Sequence, residues 1–186
     1  MGSLRVISGI AKGCRLHSVP GDITRPITDR TKESLFNIIG PDIKGAYFLD
    51  LFAGTGSVGI EALSRGADFV LFIDKHSLAI KTIRNNLRTT NLEKNAKVLK
   101  IDAFKYLKNF NGFLFDYIYI APPQYKNMWI NTLDELDKYD RWYSNDAWIM
   151  VQIDPIEYET TSLKNLNEFN NRKYGSTMLV FFNRKR

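Results

Sequence analysis

The sequence contains very little cysteine and histidine. Among its 186 residues Cys14 is the only cysteine, and His17 and His76 are the only histidines. A single cysteine forms no internal disulfide, which excludes a disulfide-framed secreted domain, and it cannot supply a zinc site built on several cysteines. Two histidines without further ligands make no metal site either. We therefore expect a fold that depends on neither disulfides nor metal.

Long hydrophobic runs are also missing. No window approaches the ~20 apolar residues that a membrane-spanning helix needs. The first residues have no apolar run behind a basic start, which is what a secretory signal peptide would show. We expect a cytosolic, monomeric protein that makes no contact with a membrane.

The composition is typical of a single globular domain. Apolar residues make up 44% of the chain, which excludes a disordered protein. The 26 lysines and arginines exceed the 20 acids, which gives a net charge of +6 and a pI near 9.3. Residues 1–37 carry +3 and residues 172–186 carry +5, so the stretch between them is slightly acidic. The basic ends are either solvated faces or an electrostatic footprint for a phosphate backbone.

Continuous apolar runs alternate along the chain with segments of helical periodicity. This pattern is typical of a parallel sheet covered by helices on both faces, so we predict a doubly wound α/β fold. A hairpin and a helix precede the sheet, and the predicted domains are an N-terminal hairpin and helix extension, 1–40, and a sheet domain, 41–186. The predicted strands are 4–8 and 15–19 in the hairpin, then 46–52, 69–73, 97–101, 115–120, 147–153 and 177–182. The predicted helices are 28–39, 57–65, 77–90, 103–109 and 127–137.

A glycine-rich loop follows the first strand of the sheet and opens a helix. Gly54, Gly56 and Gly59 match the pattern G-x-G-x-x-G. Such glycines allow a sharp turn, a close approach of the backbone to a ligand and tight packing of the helix on the strand. Both a dinucleotide and S-adenosylmethionine are bound by loops of this kind, so the glycines leave two ligands open.

Acids at three successive strand ends favour S-adenosylmethionine. Asp50 ends the first strand of the sheet, where it would repel a pyrophosphate and attract a cation, since opposite charges ~4 Å apart gain about 4 kcal/mol at an effective dielectric of 20. Asp74 ends the second strand and is placed to accept ribose hydroxyls of either ligand. Asp102 ends the third strand and can accept an adenine amino group. The alternative role of each acid is to cap the helix that follows it.

The fourth strand of the sheet runs into two consecutive prolines, Pro122 and Pro123. Prolines fix the backbone and remove donors, so their carbonyls remain as rigid acceptors at the rim. These carbonyl oxygens can accept hydrogen bonds from an exocyclic amine and so direct its nitrogen at a methyl group, which is catalysis by positioning. The alternative is a rigid loop without chemistry.

These motifs together resemble a known family, the bacterial 16S ribosomal RNA guanine-N2 methyltransferases of the RsmD type. The resemblance runs nearly end to end, and its segment 24–37 is specific to that group, whereas the glycine loop is shared by many methyltransferases. The segments that carry it are 5–9, 24–37, 49–59, 61–67 and 172–177.

The resemblance implies a seven-stranded Rossmann-like class I methyltransferase sheet with a reversed last strand, and it implies methylation of N2 of a guanine in 16S rRNA on a small-subunit particle. Three sets of residues follow from it. The implied S-adenosylmethionine set is Asp50, Phe52, Ala53, Gly54, Gly56, Asp74, Lys75, Asp102 and Ala103. The implied RNA-binding set is Arg5, Lys12, Arg15, Arg25, Arg30 and Lys32. The implied reaction centre is Ala121, Pro122, Pro123 and Tyr125.

The reaction centre departs from the family pattern. The family ends the fourth strand with Asp-Pro-Pro followed by Tyr or Phe, whereas this chain has Ala121 and Gln124 at those positions. Three readings follow. The Pro122 carbonyl holds the amine and Tyr125 stacks on the base, or the target atom or base differs, or the chain binds cofactor and rRNA without turnover. We favour the first reading.

Two further functions remain open at this stage. One is a ribosome assembly factor without catalysis, and the other is an NAD-dependent dehydrogenase, which Asp50 and the absence of a Tyr-x-x-x-Lys motif disfavour. Glu61 and Asp116 are acids near the expected cleft, and we interpret them as a solvated helix face and a solvated strand start.

Overall fold

The computed structural model describes residues 4–21, 27–109 and 112–185. Seven strands and five α-helices alternate within these ranges. The strands are β1 (Tyr47–Asp50), β2 (Phe69–Asp74), β3 (Ala96–Lys100), β4 (Phe115–Ile120), β5 (Tyr143–Ile153), β6 (Leu166–Tyr174) and β7 (Thr177–Arg184). The helices are α1 (Asp29–Ile39), α2 (Ser57–Ser64), α3 (Ser77–Thr90), α4 (Ala103–Lys108) and α5 (Met128–Lys138).

The strands form one mixed sheet in the order β3-β2-β1-β4-β5-β7-β6. Strands β1 to β5 are parallel to one another, and β7 is antiparallel to both β5 and β6. The predicted class I methyltransferase fold, with its reversed last strand, is confirmed. Because the five parallel strands end at the same edge, this edge gathers the loops in which α/β proteins bind ligands.

Helices cover both faces of the sheet and create two apolar layers. Successive residues of a strand point to opposite faces, so Phe48 packs with α1 to α3 while Leu49 packs with the α4 and α5 side. Tyr117 and Ile118 of β4 divide in the same way. Both layers are fully buried, which explains the continuous apolar runs in the sequence.

Most of the predicted elements agree with the structure, and two do not. The strands predicted at 4–8 and 15–19 reduce to one antiparallel bridge between Arg5 and Arg15, and the chain between them forms turns. Strand β6 was not predicted, because it lies at the edge of the sheet and is mostly polar. Its irregular register between Glu168 and Asn170 also disrupts the alternation that marks a strand.

The N-terminal loop, residues 4–21, packs on the first apolar layer. Its Val6, Ala11 and Leu16 are buried in the same cluster as Phe36 of α1 and Phe48 of β1. The proposed division into 1–40 and 41–186 therefore describes two parts that share a core.

Candidate active site

A cleft of about 530 Å³ lies at the carboxyl ends of β1 to β4. Its size is within the range of about 300–1,000 Å³ that small-molecule sites occupy. The cleft is where the sequence places its strand-end acids. It is lined by Asp50, Phe52, Ala53, Gly54, Asp74, Lys75, Asp102 and Ala103 of the predicted cofactor set, and by Ala121, Pro122 and Pro123 of the predicted reaction centre.

The glycine loop makes its turn as predicted. Gly56 caps the start of α2 with φ of 75°, a conformation that other residues rarely adopt, although Gly56 itself is not among the lining residues. A Cβ on Gly59 would lie 2.3 Å from the ring of Phe72, so this glycine lets α2 pack directly on β2. Gly54 alone of the three lines the cleft.

Asp50 is a buried carboxylate inside the cleft wall. Only 1% of the residue is exposed, and the amide N–H of Gly59 donates to its Oδ2 over 3.2 Å. Burial raises the pKa of Asp50 to about 7, and the charge of Asp74 adds to this rise while the Gly59 hydrogen bond opposes it. A buried acid without a cationic partner is costly, so a cation entering the cleft would stabilise its charged form.

Asp74 and Asp102 hold the loops that surround the cleft. Asp74 accepts hydrogen bonds from the Gly54 amide (2.9 Å) and from the His76 amide (2.8 Å). Asp102 caps α4 by accepting from the amides of Phe104 and Lys105 through one oxygen, Oδ1. Asp102 thus has the helix-capping role that was the alternative, whereas Asp74 binds loop amides without capping α3. Both acids also line the cleft.

The loop after β4 places Gln124 in the lining of the cleft and Tyr125 outside it. Gln124 lines the cleft together with the two prolines, whereas Tyr125 is outside the lining and 67% exposed. The backbone of Tyr125 has a φ of 62°, and its N–H donates to Glu157 over 2.7 Å. Its hydroxyl donates to Asp154 over 3.0 Å.

Sequence reasoning missed one polar pair in the cleft, which joins a buried tyrosine to a half-buried glutamine. Tyr119 of β4 and Gln152 of β5 both line it, and the hydroxyl of Tyr119 donates to Oε1 of Gln152. Burial and the charge of Asp50 raise the pKa of Tyr119 well above its ordinary value, so the hydroxyl stays protonated and acts as a donor. The signal was available, because a polar residue in a buried central strand is unusual.

The predicted RNA-binding residues separate in the structure. Lys32 does not face RNA phosphates, and this prediction is wrong: its side chain is fully buried, donates to the Arg5 carbonyl over 2.6 Å and lies 3.6 Å from Glu61. Arg5 is exposed but paired with Asp29 at 2.9 Å. Lys12, Arg15 and Arg30 are exposed, and Arg25 lies outside the described residues.

Glu61 and Asp116 are not solvated in the way the sequence suggested. Glu61 is fully buried and accepts from the amides of Ile7 and Ser8 at 2.8 and 2.9 Å, while Arg65 donates to it over 2.8 Å. Asp116 accepts from the Tyr47 amide and the Ser144 hydroxyl. Both acids are structural.

Within the described ranges, no group of three or more histidine, cysteine, aspartate or glutamate side chains is arranged to hold a metal ion. None of the helices in that part of the chain is long and apolar enough to cross a membrane.

Comparisons with known proteins agree on one family. The family model described as "Conserved hypothetical protein 95" matches residues 4–183. The chain is 38% identical to the Bacillus subtilis protein "Putative rRNA methyltransferase YlbH", over 98% of this chain and 100% of that one. It is 32% identical to the Escherichia coli "Ribosomal RNA small subunit methyltransferase D", over 81% of this chain and 75% of that one. The solved structure "Putative methyltransferase yhhF from Escherichia coli" superposes with a TM-score of 0.87 at 29% identity and covers 99% of both chains.

The strand order, the reversed β7 and the acid-lined cleft define a class I methyltransferase, the class that uses S-adenosylmethionine. Because the family model spans nearly the whole chain and YlbH is 38% identical along it, the chain belongs to the Conserved hypothetical protein 95 family, the RsmD type that its motifs resemble.

Proposed function

We propose that the chain methylates the exocyclic N2 of a guanine in the 16S rRNA of the small ribosomal subunit. The observation that carries this proposal is that the buried acid Asp50 and the rigid Pro122 and Pro123 line the same cleft. Support for an RNA substrate comes from the relatives, two of which are named as rRNA methyltransferases at 38% and 32% identity.

The residues of the cleft fit S-adenosylmethionine. Asp50 is a buried acid, and among the described residues no lysine, arginine or histidine lies within ion-pair distance of it. This suits a ligand that carries an amino group and a sulfonium. Asp74 and Asp102 provide carboxylate oxygens for the ribose hydroxyls and the adenine amino group, and Phe52, Ala53, Gly54, Lys75 and Ala103 complete the wall. When bound, the cofactor supplies an electrophilic methyl group.

The chain's own contribution to the reaction is to position the base. The Pro122 carbonyl accepts a hydrogen bond from the exocyclic amine and keeps the nitrogen lone pair directed at the methyl group. Gln124 occupies the place of the family's aromatic residue and faces the same cleft. Tyr125 is exposed outside the cleft lining, so its ring stacks on the base at the mouth of the cleft and not inside it.

One observation favours a second function, an assembly factor that binds cofactor and rRNA without turnover. Ala121 stands where the family has a carboxylate, and a lost hydrogen bond to a charged acceptor costs about 1.5–3 kcal/mol, which is roughly one to two decades in rate.

The test separates the two functions. Small-subunit particles and free 16S rRNA from cells that lack the protein are incubated with the purified chain and labelled S-adenosylmethionine, and the rRNA is then mapped by mass spectrometry. We expect one methyl group per 16S rRNA on a guanine N2. Saturable binding of particles and cofactor without any transfer would support the assembly factor, and transfer to a different atom would refute the guanine-N2 assignment.

Tyr125 variants test the stacking role. We expect Tyr125→Ala to lower the rate of methyl transfer by about 10- to 100-fold, since a stacked base contributes about 1–3 kcal/mol. Tyr125→Phe keeps the ring and should retain most of the rate, and both variants should bind S-adenosylmethionine like the unmodified chain in calorimetry. Equal losses in the two variants would show that the hydroxyl contact with Asp154, and not the ring, is what the reaction needs.

Ala121→Asp restores the carboxylate that the family has. Because the position lines the cleft beside Pro122, we expect this variant to keep or raise the transfer rate, by up to about 10-fold if the new carboxylate accepts from the amine. Single-turnover transfer to small-subunit particles measures the effect. A lost activity with unchanged cofactor affinity would mean that the loop uses another geometry.

A further inference from the structure

The positive charge of the chain is concentrated in one segment, which is not apparent when the net charge is summed over the long stretch between the two basic ends. Residues 75–108 contain nine lysines and arginines and two acids, Glu93 and Asp102, which gives a net charge of +7. The whole chain carries only +6, so the rest of the molecule is close to neutral. The slightly acidic middle of the sequence therefore contains its most basic region.

Four of these side chains line one groove on the outer side of the sheet. Lys81, Arg84 and Arg88 are spaced three and four residues apart, so they share one face of α3. Lys100 comes from β3, the edge strand beside that helix. Ser77 and Asn85 complete the polar wall of the groove.

These cations are exposed and almost free of acidic partners. Within the described ranges, Arg88 is the one member of the groove with an ion pair, to Glu93 at 3.3 Å, and both of those side chains are more than half exposed. Lys81, Arg84 and Lys100 have no acid within ion-pair distance in the same ranges. Like charges held together without counter-charges repel one another, so the groove attracts a polyanion.

The N-terminal region offers less charge than the sequence suggested. Lys32 is buried against Glu61, and Arg5 is paired with Asp29. Lys12, Arg15 and Arg30 stay exposed and, within the described ranges, have no ion pair, which equals the number of unpaired cations in the groove. The three in the groove, Lys81, Arg84 and Lys100, line one common surface.

Protection of a sheet edge does not explain the whole groove. Lysines on an edge strand prevent pairing with other strands, and Lys100 fits that role. The three cations of α3 are on a helix, where no edge needs protection. The exposed face of a helix usually carries charge, but α3 contains no acid that would balance these cations.

The groove and the cleft are lined by residues that are adjacent along the chain. Lys75 and His76 line the cleft immediately before α3 begins, and Ile101 lines it immediately after Lys100. Three strand spacings separate β3 from β4, which is about 14 Å. An RNA whose target base enters at the end of β4 therefore has neighbouring phosphates within reach of the groove.

We propose that Lys81, Arg84, Arg88 and Lys100 form a docking groove for the phosphodiester backbone of the substrate RNA. The inference rests on the proposed function, because it takes RNA as the occupant. The groove positions the RNA without reading its sequence, since phosphate contacts carry no base information.

The test compares two variants that each lose three positive charges. In the groove variant Lys81→Gln, Arg84→Gln and Lys100→Gln are combined. In the control variant Lys44→Gln, Lys138→Gln and Lys164→Gln are combined, which removes exposed lysines outside the groove. Binding of transcribed 16S rRNA and of an unrelated RNA duplex is measured at several salt concentrations, and S-adenosylmethionine affinity reports on the integrity of the cleft.

We expect the groove variant to bind both RNAs roughly 10- to 100-fold more weakly at about 0.1 M salt, with a salt slope that is shallower by about 2 to 3, because about 0.7–0.9 of the slope comes from each phosphate contact. The RNA affinity of the control variant should change less than 3-fold, and cofactor affinity should stay constant in both variants.

Equal losses of RNA affinity in the two variants would refute the proposed docking groove. So would a loss of binding to small-subunit particles with RNA binding unchanged, which would indicate an acidic protein partner. If the unmodified chain transfers no methyl group but the groove variant still binds RNA more weakly than the control, the proposed reaction is refuted and the docking groove is supported.

Discussion

Asp50→Asn is expected to weaken S-adenosylmethionine binding by about 100-fold or more while it stabilises the free protein. The loss follows from removing a buried charge that faces a cationic ligand, an interaction of about 4 kcal/mol at 4 Å and an effective dielectric of 20. The gain follows from the same burial. The carboxylate is 1% exposed, and the pKa of Asp50 rises from 3.8 to about 7.

The sign of the stability effect follows from the proton balance. Because the folded-state pKa lies above the unfolded-state pKa, the folded protein binds more protons than the unfolded chain at intermediate pH. Its stability therefore falls as the pH rises from about 4 to about 7, and above that range the full cost of the buried charge is present. Asn has no charge to bury, so at pH 8 we expect a melting temperature higher by roughly 5 °C, which corresponds to about 2 kcal/mol.

Calorimetry with S-adenosylmethionine and thermal melting measure the two effects. The affinity of the unmodified chain should fall as the pH is lowered below about 7, because binding requires the charged form of Asp50. The Asn variant should lose most of this pH dependence. Asp146→Asn removes an exposed acid from β5 and should change neither property. Unchanged cofactor affinity in Asp50→Asn would refute the electrostatic role of Asp50.

The parallel sheet and the cofactor side of the cleft could be predicted from the sequence because their signals are local. Asp50, Asp74 and Asp102 each follow an apolar run, and parallel topology alone brings three strand ends to one edge. The glycine pattern fixes a turn within six residues. None of these inferences needed a distance between remote side chains.

Burial of charged side chains could not be predicted in the same way. Helical periodicity places Lys32 on the same face of α1 as Leu35 and Phe36, but nothing local shows that it pairs with Glu61 or that the N-terminal loop covers both side chains. The Tyr119–Gln152 pair depends on the register between β4 and β5, and this register cannot be read from the sequence of either strand alone. The basic groove on α3 could not be predicted either, because the net charge was summed over the long middle stretch of the chain, where acids elsewhere cancel it.

Glu61→Gln is expected to be the most destabilising single substitution of a polar side chain considered in this fold. Glu61 lies between Lys32 at 3.6 Å and Arg65 at 2.8 Å, and it also accepts the amides of Ile7 and Ser8. Removing its charge leaves the Lys32 ammonium buried without its partner. Breaking a buried pair in this way costs about 3–5 kcal/mol.

Thermal or urea unfolding measures the effect, and a melting temperature lower by roughly 10 °C is expected for such a loss. Glu135→Gln is the matched control, because it breaks the ion pair with exposed Lys138 on α5 and should cost less than about 1 kcal/mol. Adding Lys32→Met to Glu61→Gln removes the stranded charge and should recover part of the stability. Without that recovery, the loss would come from the released amides of the N-terminal loop and not from an unpaired lysine. A loss no larger than that of Glu135→Gln would show that the buried cluster does not hold the loop on α2.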